Sequence, residues 1–101
     1  MKISDKTNYI KEMLEIFDDP MDKYVQIMEF GKKNSGMPDV NKNDDNRIFG
    51  CASLAWVEVI NNKNNTYNIS VDSDTLIVKG LLSILKHIID GANLKEINQL
   101  D

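Results

Sequence analysis

The hydrophobic spacing of this chain changes period twice, and that change restricts its fold more than any other feature. Ile10, Met13, Leu14 and Phe17 recur at three- and four-residue steps, the spacing of one helix face. Tyr24, Ile27, Met28 and Gly31 repeat the pattern in a second segment. From Leu54 to Ile60 the chain is instead rich in β-branched and aromatic residues. Trp56 and Glu58 fall on one face there and Val57 and Val59 on the other, as in a strand. The helical period returns with Ile77, Leu81, Ile84, Leu85 and Ile88, opposite Lys79, Ser83, Lys86 and Asp90. Strands grouped between helices, rather than alternating with them, predict an α+β domain.

Local signals set the boundaries. Ser4 is placed to cap the first helix, and Asp19 followed by Pro20 matches the N-cap and first position of the second. Gly36-Met37-Pro38 ends the helical region, and Asp39 to Asn46 is polar and aperiodic, so it reads as a loop. Asn61 to Asn65 is turn chemistry, because asparagine tolerates left-handed backbone. Thr66 to Val71 is then the return strand, and Arg47-Ile48-Phe49 offers a short third one before Gly50. Either Asp72 or Asp74 is expected to cap a helix from Thr75 to Asp90, with Gly91 at C′. Asn93 is expected to cap a last short helix through Leu100. The architecture predicted is a small antiparallel sheet of about three strands packed against N-terminal and C-terminal helices, in one domain.

Composition excludes several functions. Twelve basic residues against sixteen acidic ones leave a formal charge of -4, and Lys32-Lys33 is the only adjacent basic pair. A nucleic-acid ligand needs a basic face, so nucleic acid is not expected as a partner. No apolar run approaches a membrane span or a signal peptide, and no membrane association is expected. A single cysteine precludes an internal disulfide framework and points to a reducing, cytoplasmic location. The triplets Asn64-Asn65-Thr66 and Asn68-Ile69-Ser70 are read as chance in an asparagine-rich chain rather than as glycan acceptors.

Among residues that carry chemistry, Cys51 stands out. It lies between Gly50 and the small pair Ala52-Ser53, where a loop enters a strand. Gly50 permits backbone angles closed to other residues and leaves room for a second molecule. A sulfur nucleophile needs that access and must attack as the thiolate. The opposing reading is a buried cysteine acting as a small hydrophobe, a common fate of free thiols. His87 is isolated at the edge of an apolar face and reads as a boundary histidine. No second cysteine or histidine lies at ligand spacing, so no metal is expected on this chain. Asp72 and Asp74 look like a carboxylate pair but fit helix capping better, and Trp56 reads as a core anchor.

The run Asn46-Arg47-Ile48-Phe49-Gly50-Cys51-Ala52-Ser53-Leu54-Ala55-Trp56 resembles the SufE family of sulfur-acceptor proteins. The segment Asp72-Ser73-Asp74 followed by Ile77-Val78-Lys79-Gly80-Leu81 is similar to that family's second signature. The resemblance is close from Asn46 to Leu81 and extends only as pattern to the flanking helices. It implies a fold shared with iron–sulfur scaffold proteins of the IscU type. It also implies a sulfur acceptor rather than a cluster scaffold, since a scaffold uses several cysteines. The implied reaction is attack by Cys51 on a persulfide held by a cysteine desulfurase of the SufS or CsdA type, then passage of sulfur to a cluster scaffold. Pyridoxal phosphate would belong to the desulfurase, and no cofactor is expected on this chain. By motif match Gly50, Ala52 and Ser53 shape the loop, while Asp74 and Lys79 lie close to it and in the partner-binding region. Arg47 or Lys79 could favour the thiolate by charge.

The family usually continues past the position of Asp101 into a helical segment bearing an arginine motif. A chain of this extent is therefore a short form, a trimmed chain, or a binder of the desulfurase without full transfer competence. Two functions stay open on the sequence: a sulfur-transfer protein using Cys51, and a non-catalytic adaptor or regulator of a desulfurase in which Cys51 is structural. No base, metal set or cofactor motif supports an independent small-molecule enzyme.

Overall fold

The computed structural model of the chain describes residues 2–99. Helix α1 spans Ile3–Glu15 and helix α2 Pro20–Lys33. Strands β1 (Ala55–Asn61) and β2 (Thr66–Ser73) form an antiparallel hairpin, followed by helix α3 (Leu76–Ile89). Strand β3 (Ala92–Asn93) and helix α4 (Leu94–Asn98) complete the order. The sheet runs β1-β2-β3, all antiparallel, with helices before and after it, so the fold is α+β as expected.

The start of α2 follows the sequence signal. Asp19 Oδ1 accepts the Met21 N–H at 2.9 Å, with Pro20 at the first position. α1 does not follow its signal. Ser4 lies inside the first turn, and Lys2 occupies the N-cap with no side-chain bond. The extra upstream residue is Ile3, which is buried with Ile10 two turns later, so apolar burial overrides the capping signal. The Asp39 to Asn46 loop holds one 3-10 turn at Asp39–Asn41 and is otherwise irregular.

The expected third strand at Arg47-Ile48-Phe49 is replaced by a single bridge, Arg47 opposite Trp56. The chain turns away at Phe49-Gly50 directly afterwards, so pairing cannot extend. The true third strand lies on the other edge, where Thr66 pairs with Asn93 and Tyr67 with Ala92. Gly91, at φ +83, reverses the chain after α3 and donates its N–H to the Tyr67 carbonyl at 2.8 Å. The hairpin turn uses Asn65 in the left-handed region, at φ +62. Asn93 and Glu96 form a reciprocal capping box for α4. Leu100, the expected end of that helix, lies outside the described residues.

α3 is the hub, packed on α2, on β2 and against α1. Its orientation differs from the amphipathic reading. Gly80 and Ser83 are the buried positions, whereas Leu81 is 52% exposed and Leu85 is also exposed. The cause is the helix crossing: a Cβ on Gly80 would collide with the Ile27 carbonyl oxygen of α2, and one on Gly31 would lie 2.9 Å from the Leu76 carbonyl. Two glycines let the backbones meet, and the face that meets α2 is the small one. Ser83 is tolerated inside because its hydroxyl donates to the Lys79 carbonyl at 2.6 Å and accepts from Asn34 Nδ2 at 3.0 Å. Asn34 Nδ2 also donates to the Val71 carbonyl at 3.1 Å, tying the end of α2 to β2.

Candidate functional site

Cys51 lies on the loop that joins the Asp39–Asn46 region to β1, and it is exposed. The loop is closed at its base by the Arg47–Trp56 bridge. The Ile48 N–H donates to the Ala55 carbonyl and the Val57 N–H to the Asn46 carbonyl, both at 2.8 Å. Asn46 is itself fixed, since its Nδ2 donates to Glu58 Oε2 at 3.0 Å and to the Asn41 carbonyl at 2.9 Å. Gly50 adopts φ +84 and has no atom within 4 Å of where a Cβ would stand. Its glycine therefore serves the backbone turn, and the space beside Cys51 is open. Ile48, Phe49 and Leu54, which flank Cys51 along the chain, are all exposed, Phe49 at 66%. The Arg47 guanidinium carbon stands 5.0 Å from the Phe49 ring centre. Exposure removes the reading of Cys51 as a buried hydrophobe.

The loop's second limb is fastened to the junction between β2 and α3. The Leu54 N–H donates to Asp74 Oδ1 and the Asp74 N–H to the Leu54 carbonyl, each at 3.0 Å. The Ser73 hydroxyl donates to the same Leu54 carbonyl at 2.8 Å, and Thr75 Oγ1 donates to Ser53 Oγ at 3.0 Å. The two sequence segments that carried the family resemblance thus meet in space. Neither aspartate caps α3 as expected. Thr75 is the N-cap residue without a side-chain cap bond, and its N–H goes to Ser73 Oγ at 3.2 Å. Asp72 and Ser73 stay in β2, and Asp74 faces the Cys51 loop instead. The carboxylates are drawn off by the orphan N–H groups of Met37, Ser73 and Leu54.

Asp72 is 6% exposed and is the buried anchor beneath this junction. Its Oδ2 accepts the Met37 N–H at 3.0 Å and lies 3.2 Å from Lys42 Nζ. Its Oδ1 accepts the Ser73 N–H at 2.8 Å and lies 3.8 Å from Lys79 Nζ. Burial pushes this carboxyl up, but the two backbone donors and Lys42 outweigh it and hold it below the usual carboxylate range. Lys42 is raised in turn, chiefly by its contact with Asp72 and then by Asp39. Gly36, at φ +86, keeps room for the carboxylate, because a Cβ there would stand 2.5 Å from Asp72 Oδ2. Lys42 also lies over the half-buried Trp56, with Nζ 5.7 Å from the ring centre.

Of the residues expected in the site, Ser53 and Asp74 are brought to the Cys51 loop by direct hydrogen bonds. Gly50 and Ala52 flank the thiol, both exposed. Lys79 points to Asp72 and Arg47 stacks on Phe49, and among the described residues no hydrogen bond reaches the Cys51 sulfur. Lys42, Ser73, Thr75 and the Gly36-Met37 turn were not foreseen as part of this junction. Gly36-Met37 left a trace in the sequence as a turn signal before Pro38, and Ser73 as part of the second family segment, without a role. Among the described residues no three His, Cys, Asp or Glu side chains converge as a metal would require, and no helix is long and apolar enough to cross a membrane. The arrangement offers one exposed thiol on a loop braced at both limbs. It suits exchange with a sulfur atom presented by another molecule.

The chain's sequence is similar to those of known proteins. The SufE model, described as an Fe-S metabolism associated domain, matches residues 8–101. The chain is 32% identical over 100 residues to the cysteine desulfuration protein SufE of Wigglesworthia glossinidia brevipalpis, spanning 99% of this chain and 69% of that protein. It is 31% identical over 87 residues to an uncharacterized SufE-like protein of Rhizobium meliloti (strain 1021), spanning 83% of this chain and 62% of that one. A third relative, the SufE-like protein 1, chloroplastic/mitochondrial, of Arabidopsis thaliana, is 28% identical over 92 residues. That match covers 91% of this chain but 25% of the plant protein.

Proposed function

The chain belongs to the SufE family, and on that premise we propose that it accepts sulfur from a cysteine desulfurase as a persulfide on Cys51. Membership assigns it to Fe-S metabolism and to work beside cysteine desulfuration. The finer reading is that Cys51, as thiolate, attacks the outer sulfur of a persulfide on the desulfurase. A new S–S bond forms on Cys51, the desulfurase's own S–S bond breaks, and its cysteine leaves as thiolate. The exchange is redox-neutral, so no oxidant or reductant is consumed. The persulfide then passes by the same chemistry to an acceptor, which we take to be an Fe-S cluster scaffold. Pyridoxal phosphate serves the desulfurase, where the sulfur is first released from free cysteine.

The observation that carries this reading is the exposed thiol beside open space, on a loop braced by the second family segment. A transferring sulfur must leave one protein's site and enter another, so the accepting atom needs to project. The exposed Ile48, Phe49 and Leu54 supply apolar surface around it, as a protein partner would use. Sulfide release by a desulfurase from free cysteine, in the presence of excess reductant, tests the reading. Addition of this chain should accelerate release, and Cys51→Ser should not. Equal acceleration by both would assign the chain to an adaptor role.

A further inference from the structure

Ser73 sits where the Cys51 loop, the end of β2 and the start of α3 meet, and its hydroxyl is used twice. As donor it holds the Leu54 carbonyl at 2.8 Å, and as acceptor it takes the Thr75 N–H at 3.2 Å. A serine hydroxyl has one proton to give, and here it is committed to the loop. The acceptor side supplies the bond at the start of α3 that neither aspartate provides. Thr75, reached in this way, donates its own hydroxyl to Ser53 Oγ, two residues from Cys51. One hydroxyl therefore connects α3 to the loop at both Leu54 and, through Thr75, Ser53.

The two limbs of the loop are not held alike. Ile48 to Ala52 has no hydrogen bond beyond the Ile48 N–H among the described residues, while Ser53 and Leu54 are held by Ser73, Asp74 and Thr75. Both limbs are anchored, but the nearer and more numerous restraints on Cys51 lie on its C-terminal side, at Ser53 and Leu54. We propose that Ser73 is a positioning residue for sulfur acceptance, holding the Ser53-Leu54 limb so that the thiol stands out from the surface. It touches no reacting atom and acts through Leu54 and Thr75. This role rests on the reading of Cys51 as the acceptor. A misplacement on the order of an ångström can change rates by on the order of a hundredfold, so a loosened limb is costly to transfer even where the fold persists.

The test compares wild type, Ser73→Ala and Ser73→Thr in three measurements: single-turnover persulfidation of Cys51 by a desulfurase, amide hydrogen exchange, and a thermal melt. Ser73→Ala should slow persulfidation by about tenfold, an intermediate loss for a limb loosened but not freed. It should speed exchange at the Leu54 and Asp74 amides, which bond across this junction, while leaving the strands protected. Ser73→Thr, which keeps the hydroxyl, should restore both. Wild-type rates in Ser73→Ala, or slowed transfer with unchanged exchange at Leu54 and Asp74, would overturn the proposal. So would a melt lowered with exchange raised throughout, which assigns Ser73 to overall stability. If wild type itself takes no sulfur, the acceptor reading fails, and the exchange comparison still decides whether Ser73 restrains the loop.

Discussion

Asp74 and Leu54 are joined by two reciprocal hydrogen bonds, Leu54 N–H to Asp74 Oδ1 and Asp74 N–H to the Leu54 carbonyl, each 3.0 Å long. This pair turns two distant stretches of sequence into one structure. It fastens the Cys51 loop to the strand-to-helix junction and leaves the thiol free at the tip.

Asp74→Lys should therefore alter the rate of persulfide acquisition more than Glu12→Lys, which places the same charge change on the exposed surface of α1. The Leu54 bond is solvent-exposed, so its loss should cost stability only about 0.5–1.5 kcal/mol. Urea melts and single-turnover transfer, run on both variants, separate the two effects. Equal rates in the two variants would show that Asp74 has no special place in transfer.

The fold class was legible in the residue pattern, the closeness of the two segments only through the family resemblance, and the local bonding not at all. The change from helical to strand period marked α2, the hairpin and α3, because burial imposes those periods over many residues. Capping was misread where a competing partner existed. Asp72 and Asp74 had the composition of caps, but buried or unpaired N–H groups at Met37, Ser73 and Leu54 took them instead. The buried face of α3 was misassigned because Gly31 and Gly80 admit a helix crossing that apolar periodicity cannot register. Lys42 entered the site from an aperiodic loop that carries no pattern to read.

Two glycine substitutions should fail for different reasons. At Gly80 the added Cβ meets the Ile27 carbonyl oxygen of α2, so Gly80→Ala should destabilise by about 1–3 kcal/mol even though alanine favours helix. At Gly50 there is open space but φ is +84, so Gly50→Ala should cost about 1–2 kcal/mol through backbone strain alone. Denaturant midpoints measure both. A neutral Gly80→Ala would mean that α2 and α3 are not in backbone contact.

The Asp72 anchor gives stability a defined pH dependence. Its carboxyl is held below the ordinary value of about 3.9, so its contribution is complete above that pH and disappears as pH falls through the lowered value. Asp72→Asn should cost about 1–3 kcal/mol at neutral pH, and the deficit should shrink below about pH 4. Thermal melts of both proteins from pH 7 to pH 3 provide the check. A deficit that grows on acidification would contradict this sign.

Cys51→Ser should leave the melt within about 0.5 kcal/mol of the parent, as for other exposed positions without a special conformation. A large loss of stability would return Cys51 to a structural role.

The central claim is that Cys51 takes the sulfur, and mass spectrometry tests it most directly. After incubation with a desulfurase, pyridoxal phosphate and free cysteine, the chain should gain the mass of one sulfur atom. The gain should map to the peptide containing Cys51, be absent in Cys51→Ser, and vanish on treatment with a small thiol. A desulfurase that turns over and binds this chain yet leaves Cys51 unmodified would contradict the account.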